Sequence, residues 1–422
     1  MDCAAQQYAW GKVGSSALVS RLKNAQSEDF TIKENEPYAE LWIGTHPNGM
    51  SNILVPEDES VAVDDTRMKS VPLVHYVQSN PEMHLGVVGE MEPSQEFDLT
   101  FLFKVLSIEK VLSIQAHPDK RLAAQLHTVN PSAYKDPNHK PEMAVALTDD
   151  FEAMSGFRPM CDIASNLMDY PEFGDLLDNR IRESIIDASE GRVFDTPTAI
   201  LRKMFRAYME TSEEVMKEQL EKLVSRLSVK EECNGLDKLI LKLSKQFPGD
   251  SGIFAPIIFN YMKLKTGDAF YIGANEPHAY IQGEILECMA CSDNVVRAGL
   301  TPKMKDVETL VKMLTYHNKI PEVTRGEQVD AYTRLYVPPV DDFAIEILEV
   351  PPGSRHVMKE VRSPSVILTL EGAGTLQQGS VQSLPVSFGK AAFMSANTSA
   401  TVIADDNKGG LKLVRALSNV HL

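Results

Sequence analysis

The spacing of apolar residues changes twice along this chain. Up to about residue 155 they fall in short alternating or continuous runs, such as Tyr38-Ala39-Glu40-Leu41-Trp42-Ile43-Gly44, Phe101-Leu102-Phe103-Lys104-Val105-Leu106 and Leu112-Ser113-Ile114-Gln115. Turn residues separate them, as in Thr45-His46-Pro47-Asn48-Gly49. That pattern predicts mostly strands and tight turns, with one short helix over 120–127. From about 158 to 247 the spacing becomes helical. Ile200, Leu201, Met204, Phe205, Tyr208 and Met209 predict one helix, and Leu220, Leu223, Val224 and Leu227 a second. Thr211-Ser212-Glu213-Glu214 fits a capping box for the second. Pro248-Gly249-Asp250-Ser251-Gly252 closes this block, which reads as a helical insertion. Strand-like sequence resumes at Ile253 and runs to about Val296. A helix is predicted near 305–314, and the polar stretch 318–330 reads as a linker. From Tyr332 the alternation returns. Phe343, Ile345 and Ile347 share one face, and Val366, Leu368 and Leu370 form another run. Turns at Pro351-Pro352-Gly353 and Gly372-Ala373-Gly374 separate these strands.

One internal repeat crosses this pattern. Gly267-Asp268-Ala269-Phe270-Tyr271-Ile272-Gly273-Ala274-Asn275-Glu276-Pro277-His278 is similar to Gly389-Lys390-Ala391-Ala392-Phe393-Met394-Ser395-Ala396-Asn397-Thr398-Ser399-Ala400, at a constant offset of 122 residues. So short a match also arises by chance. Taken as real, it predicts two related β-barrels, one carrying His278 and one in which Ala400 marks a lost site.

Composition narrows the class. A chain of 422 residues exceeds one ordinary core, so two or three domains are expected. Its 43% hydrophobic and 24% charged content is that of a soluble globular protein. The net charge of −17 argues against nucleic acid or an anionic membrane as partner, and an anionic ligand would need a locally basic pocket. No apolar run is long enough to span a bilayer, and Met1-Asp2-Cys3-Ala4-Ala5-Gln6-Gln7 has no secretory pattern. Five scattered cysteines form no disulfide framework, which suits a reducing compartment.

The chemistry concentrates in two short strands. Gln115 and His117 point to one face of their strand, as do Lys140 and Glu142. With His278 they supply two imidazoles, a carboxylate and an amide oxygen, a nitrogen–oxygen set suited to zinc. The two imidazoles favour zinc over magnesium or calcium, and manganese or iron stay open. Taken singly, each histidine reads better as an ordinary buried, hydrogen-bonded side chain. Lys140 shares the cavity face of Glu142 and is a candidate proton carrier or anion binder. Ser113 shares the face of Gln115 and could donate to a phosphate or sugar oxygen. Arg297-Ala298-Gly299-Leu300-Thr301-Pro302-Lys303 offers a guanidinium fork and a second cation on a shaped loop. Glu287 and Asp293 nearby could orient a sugar hydroxyl or act as a base. Cys288-Met289-Ala290-Cys291 has no second C-x-x-C and reads as packing. There is no P-loop or dinucleotide fingerprint.

These residues sit in runs that resemble the type I mannose-6-phosphate isomerases (phosphomannose isomerases) in their eukaryotic form. The runs are Gln7-Tyr8-Ala9-Trp10-Gly11-Lys12, Pro37-Tyr38-Ala39-Glu40-Leu41-Trp42-Ile43-Gly44-Thr45-His46, the 101–106 run, Leu112-Ser113-Ile114-Gln115-Ala116-His117-Pro118, His139-Lys140-Pro141-Glu142-Met143-Ala144, Asn275-Glu276-Pro277-His278-Ala279-Tyr280 and the very specific Ala290-Cys291-Ser292-Asp293-Asn294-Val295-Val296 leading into Arg297 to Lys303. The helical block and the C-terminal part match more loosely.

The resemblance implies a mainly β fold with a helical insertion: two cupin-like (jelly-roll) barrels plus an α-helical domain. The catalytic barrel would comprise 1–155 and 253–327, the helical domain 156–252, and a C-terminal barrel without a metal site 328–422. It implies one zinc per chain on Gln115, His117, Glu142 and His278. It also implies Arg297, Lys140 and Glu287 as catalytic residues, and Ser113, Lys303, Lys104, Trp10 and Tyr280 in the substrate and phosphate pocket. The implied reaction interconverts mannose 6-phosphate and fructose 6-phosphate through a cis-enediolate. It would feed GDP-mannose synthesis and mannose catabolism in a cytoplasmic, monomeric enzyme that binds a small sugar phosphate and neither nucleic acid nor membrane. Lys140, Glu287 and a hydroxide on the metal all stay open as the base. Two other readings stay open: a noncatalytic sugar-binding protein of the same fold, and an iron-dependent oxygenase. The cluster of cations expected beside the metal argues against both.

Overall fold

The alternating runs pair into two large antiparallel sheets with the same strand order. The structure, a computed structural model, describes residues 1–56, 68–90, 99–192, 195–379, 382–406 and 409–420. In the first sheet the main path runs Ala4–Gln6, Glu40–Ile43, Phe101–Ile108, His278–Ala290, Glu142–Ala146, Ala269–Ile272, Val323–Thr324. In the second it runs Glu327–Gln328, Thr333–Tyr336, Ala344–Val350, Leu411–Leu417, Ser365–Glu371, Ala391–Met394. The registers correspond position by position. Lys104 pairs with Glu287 in the first sheet where Glu346 pairs with Arg415 in the second. Glu142 pairs with Ile272 where Ser365 pairs with Met394.

The sequence repeat is therefore also a repeat of conformation. Ala269–Ile272 and Ala391–Met394 are both strands, and His278 and Ala400 both open one. Gly267 and Gly389 have φ of 85° and 83°, and Asn275 and Asn397 have φ of 64° and 55°. Left-handed asparagines at matched positions are improbable unless the same turn is built twice. Among the described residues the ladders form open, branched sheets. The barrel closure expected from the sequence is not traced by them, and the fold is a mixed one of several sheets with many helices.

The two large sheets share a core. Phe103, Val105 and Leu286 of the first pack in one cluster with Ile345, Val366, Leu368 and Val414 of the second. The opposite face of the second sheet, with Leu348, Ile367 and Leu413, buries a separate cluster against Val402. Both faces of these strands are apolar because both are covered.

The helical block packs around Ile200, Leu201, Met204, Phe205, Tyr208, Leu220, Leu223 and Leu227. Four sequence expectations need correction. The second helix, Glu213–Ser228, is capped by Ser212, whose side chain accepts from the N–H of Val215. With valine at the third helical position, no capping box forms there; the box lies at Asn234 and Asp237. Helical structure continues past 252 through Ser251–Phe254 and Ala255–Ile258, so the next strand begins at Phe259. That segment is buried on all sides, and a continuous apolar run does not distinguish helix from strand. The 318–330 stretch is no free linker: Val323 and Thr324 pair with Phe270 and Ala269, and Glu327 and Gln328 with Leu335 and Arg334. The helices Leu18–Gln26 and Leu73–Ser79 also lie in the region expected to be strand.

Arg415 is fully buried in the second sheet. Its guanidinium lies 3.3 Å from Glu346 and donates to Ser365 Oγ (3.0 Å) and the Lys359 carbonyl (2.9 Å). Removing one partner of a buried pair leaves an uncompensated charge, whereas replacing both by apolar groups does not. Glu346→Ala should lower unfolding free energy by about 3 kcal/mol, and Glu346→Leu/Arg415→Met should recover most of that loss in chemical denaturation.

Candidate metal centre and active site

Three neighbouring strands place the central residues in one row. Gln115, in Ile114–Ala116, pairs with His278 on one side and with Arg297 on the other. Residues opposite each other in such ladders have their Cβ atoms about 5 Å apart. Glu142 opens its strand opposite Met289 and Ile272, and His117 lies just beyond the end of Gln115's strand.

His117, Glu142 and His278 come together, buried, with their donor atoms within 4.8 Å of one another. His117 Nε2 lies 3.2 Å from Glu142 Oε1, and His278 Nε2 lies 3.3 Å from Glu142 Oε2. The other ring nitrogens fix the protonation pattern. His117 Nδ1 meets the Asn294 carbonyl at 2.6 Å, and His278 Nδ1 meets the Glu276 carbonyl at 3.1 Å. A carbonyl only accepts, so each Nδ1 carries a proton and each ring turns its Nε2 toward Glu142. Both Nε2 atoms and Glu142 Oε2 are buried without a hydrogen-bond partner. Burial pushes the His117 imidazole down to about 4, outweighing the pull of Glu142, so it is neutral at physiological pH. Burial would raise Glu142, but its contact with His117, the Lys140 charge and its contact with His278 hold it well below the usual carboxylate range. The His117 Nε2 lone pair repels the ionised carboxylate it faces unless a cation lies between them. The donor set fits a divalent metal of zinc's type, with the outer carbonyls orienting the rings.

A cavity of about 820 Å³ opens beside this group. Gln115, Glu142, Lys140, Lys104, Ser113, Trp10, Tyr280, Glu287, Arg297 and Lys303 all line it, and His117 and His278 lie behind its wall. Its basic lining side chains are Lys104, Lys110, Lys135, Lys140, Arg297 and Lys303, against Glu40, Glu142, Glu287 and Asp293. The basic pocket expected within an acidic chain is thus present.

The cations differ in how free they are. Lys104 is buried between Glu287 (2.9 Å) and Glu40 (3.6 Å), with its ammonium 5.1 Å from the Trp42 ring centroid. Burial would lower it, but the Glu287, Glu40 and Glu142 carboxylates hold it above the usual lysine range. The Lys140 ammonium lies 3.3 Å from Glu142. Half-buried Arg297 makes no hydrogen bond or ion pair among the described residues, and burial lowers its pKa. Its planar fork is thus available to an incoming oxyanion. Lys303 stands exposed at the mouth. Glu287 is raised by burial, reinforced by Glu142 and Glu40 and opposed by Lys104. Tyr280 is pushed up by burial and by the Glu287 and Glu142 charges, so its hydroxyl stays protonated. Asp293 is held 3.2 Å from His46 Nε2 and accepts from the Asn48 amide (2.9 Å), which leaves it less suited to acting as a base. Cys288 is buried in the core and Cys291 half-buried, neither in a disulfide.

Sequence reasoning missed Glu40, Trp42 and Asn294. The Trp42 indole N–H donates to Glu40 Oε2, and Glu40 in turn flanks Lys104. The two residues are one strand period apart, the same signal that singled out Gln115 and His117. Asn294 acts through its backbone carbonyl, for which residue type gives no signal.

Residues 1–160 match the phosphomannose isomerase type I catalytic domain, 176–259 its helical insertion domain, and 334–381 its C-terminal domain. The chain belongs to the phosphomannose isomerase type I family. Mannose-6-phosphate isomerase 2 of Arabidopsis thaliana is 39% identical over 99% of this chain and 92% of its own. The Homo sapiens mannose-6-phosphate isomerase is 39% identical over 95% and 94%. Among solved structures, phosphomannose isomerase from Salmonella typhimurium superposes with a TM-score of 0.81 at 29% identity, covering 99% of this chain and 98% of that one. A mannose 6-phosphate isomerase bound with zinc and yttrium superposes at 0.77 and 28% identity, covering 99% and 100%.

Two outcomes follow from the donor geometry. Gln115→Ala and His278→Ala should lose metal and activity together; stoichiometric zinc retained in both, by elemental analysis, would remove the ligand assignment. In the metal-free protein, His117 stays neutral down to about pH 4 while the unfolded chain protonates it near 6.5. The unfolded state then binds more protons, so stability drops as pH falls through that window. The stability difference between metal-free wild type and metal-free His117→Gln should shrink by on the order of 3 kcal/mol from pH 7 to 4. A pH-independent difference would contradict a neutral, buried His117.

Proposed function

We propose that this chain interconverts mannose 6-phosphate and fructose 6-phosphate by an aldose–ketose isomerisation through a cis-enediolate. The observation that carries the reading is the unpaired Arg297 guanidinium in the same strand row as Gln115 and His278, at the wall of a basic cavity. Zinc, one per chain, would be held by Gln115, His117, Glu142 and His278, and when bound it supplies Lewis-acid stabilisation of developing negative charge.

The chain's own residues do the rest. Arg297 hydrogen-bonds the enediolate oxygens as charge grows on them; permanently protonated, it serves as an electrostatic group and not as the base. Glu287 is the favoured base, taking the C2 proton and returning it at C1. Its raised pKa brings it closer to working pH than an exposed carboxylate, and Lys104 holds it in place. Lys140 lies beside Glu142 and relays protons to the sugar oxygens. Ser113 and Lys303 hold the phosphate, and Trp10 and Tyr280 wall the sugar. In domain terms, 1–155 with 253–327 form the catalytic cupin-like barrel, 156–252 the helical domain, and 328–422 a second cupin-like barrel without metal. The chain acts as a cytoplasmic monomer feeding GDP-mannose synthesis and mannose catabolism. No described helix is long and apolar enough to cross a membrane.

A coupled assay on mannose 6-phosphate should show turnover that chelator abolishes and zinc restores. Arg297→Ala should keep metal and lose roughly 10³-fold in kcat. Glu287→Gln should lose about 10²-fold or more, together with the acid limb of the rate profile, since the base must be deprotonated to act. Near-normal turnover in Arg297→Ala would remove its role.

A further inference from the structure

The loop that carries Lys303 is gripped from outside the cavity by a carboxylate at the end of the helical insertion. Asp250 Oδ1 accepts from the backbone N–H groups of Gly252 (2.7 Å) and Leu300 (2.7 Å), and Oδ2 accepts from that of Thr301 (3.1 Å). Leu300 needs such a grip, because its φ of +53° is a conformation that disfavours side chains other than those of glycine, asparagine and aspartate. Gly252 and Gly299 meet back to back. A Cβ on Gly252 would lie 2.7 Å from the Leu300 nitrogen, and one on Gly299 2.8 Å from the Gly252 Cα. The clamp is itself anchored: the Tyr208 hydroxyl donates to the Ser251 carbonyl (2.6 Å), and the Lys305 ammonium to Ser251 Oγ (3.1 Å).

The two sides of this contact face different spaces. Leu300, Thr301, Pro302 and Lys303 line the substrate cavity, whereas Asp250 lines a separate cleft of the helical insertion. We propose that Asp250 is a positioning residue for the anionic end of the substrate: it locks the left-handed turn at Leu300 so that Lys303 is held at the cavity mouth. This rests on the reading of the cavity as a sugar-phosphate site. It also gives the helical insertion a part in substrate binding without touching substrate.

Electrostatics and positioning predict opposite signs here. A carboxylate near a cationic loop weakens anion binding through its field, so its removal alone would tighten phosphate. Loss of the clamp would weaken it. The test uses full-length, metal-loaded Asp250→Ala and Asp250→Asn. Asparagine keeps an oxygen for Gly252 and Leu300 but cannot accept from Thr301 with its amide nitrogen. The KM for mannose 6-phosphate and the calorimetric Kd for inorganic phosphate should both rise about tenfold in Asp250→Ala and less in Asp250→Asn, with kcat within about twofold and metal content unchanged. Asp237→Asn, at the start of the preceding helix Gly235–Gln246, loses one of the two carboxylate oxygens that accept from Tyr170, Lys230 and the Asn234 N–H and should lower Tm without moving KM. Unchanged or tighter phosphate binding in a folded Asp250 variant overturns the proposal, as does an equal KM rise in Asp237→Asn. Should Asp250→Ala fail to fold, Asp250→Asn decides. A wild type that binds phosphate without turning over mannose 6-phosphate overturns the functional reading alone, and the phosphate Kd still judges Asp250.

Discussion

Two imidazole nitrogens and an ionised carboxylate face one another in the interior, and much of the structure around them holds that arrangement. Backbone carbonyls of Asn294 and Glu276 take the outer ring protons. The Asn294 side chain is pinned to the carbonyls of Asp136 and Asn138, which fixes the carbonyl that orients His117. Without a cation the arrangement carries unpaid repulsion and desolvation; with one, each inward lone pair has its partner. The burial that makes the cluster costly when empty is also what keeps the His117 ring neutral and ready to ligate.

The second sheet shows the same frame put to another use. By register, Ser365 stands where Glu142 stands, Ala400 where His278 stands, and Arg415 where Glu287 stands. The Lys104–Glu287 ion pair recurs with its charges exchanged, as Glu346 and Arg415. An arginine in that position fills the interior with its own side chain, and Leu413, Ile367 and Val402 pack around the rest. The two sheets thus differ at these inward positions while sharing strand order and turn conformation.

The sequence made the frame legible where physics imposes a period. Alternation located the strands bearing Gln115 and Glu142, although Lys140 and His117 lie just outside them; helical spacing located the insertion, and the 122-residue repeat marked two segments that the structure builds with matched glycines and asparagines in left-handed turns. It misled where burial is complete. The run from Ile253 to Ile258 has no polar face to betray its period and is helical. The capping box was misplaced because Thr211 and Ser212 both satisfy the residue preference, and only the chain's entry angle chooses between them. Contacts made by backbone atoms, such as those of Asn294 and of the Leu300 turn, leave little trace in residue type. The charge balance was read correctly: a net −17 chain surrounds a cavity whose lining is richer in cations than in carboxylates.

The central claim is that His117, Glu142 and His278 hold a metal, and X-ray absorption at the zinc edge of the zinc-loaded chain tests it most directly. The account predicts a nitrogen–oxygen shell at about 2.0–2.1 Å, with the outer-shell scattering of two imidazoles and no sulfur near about 2.3 Å. A sulfur shell, or a spectrum unchanged in His278→Ala, would contradict it.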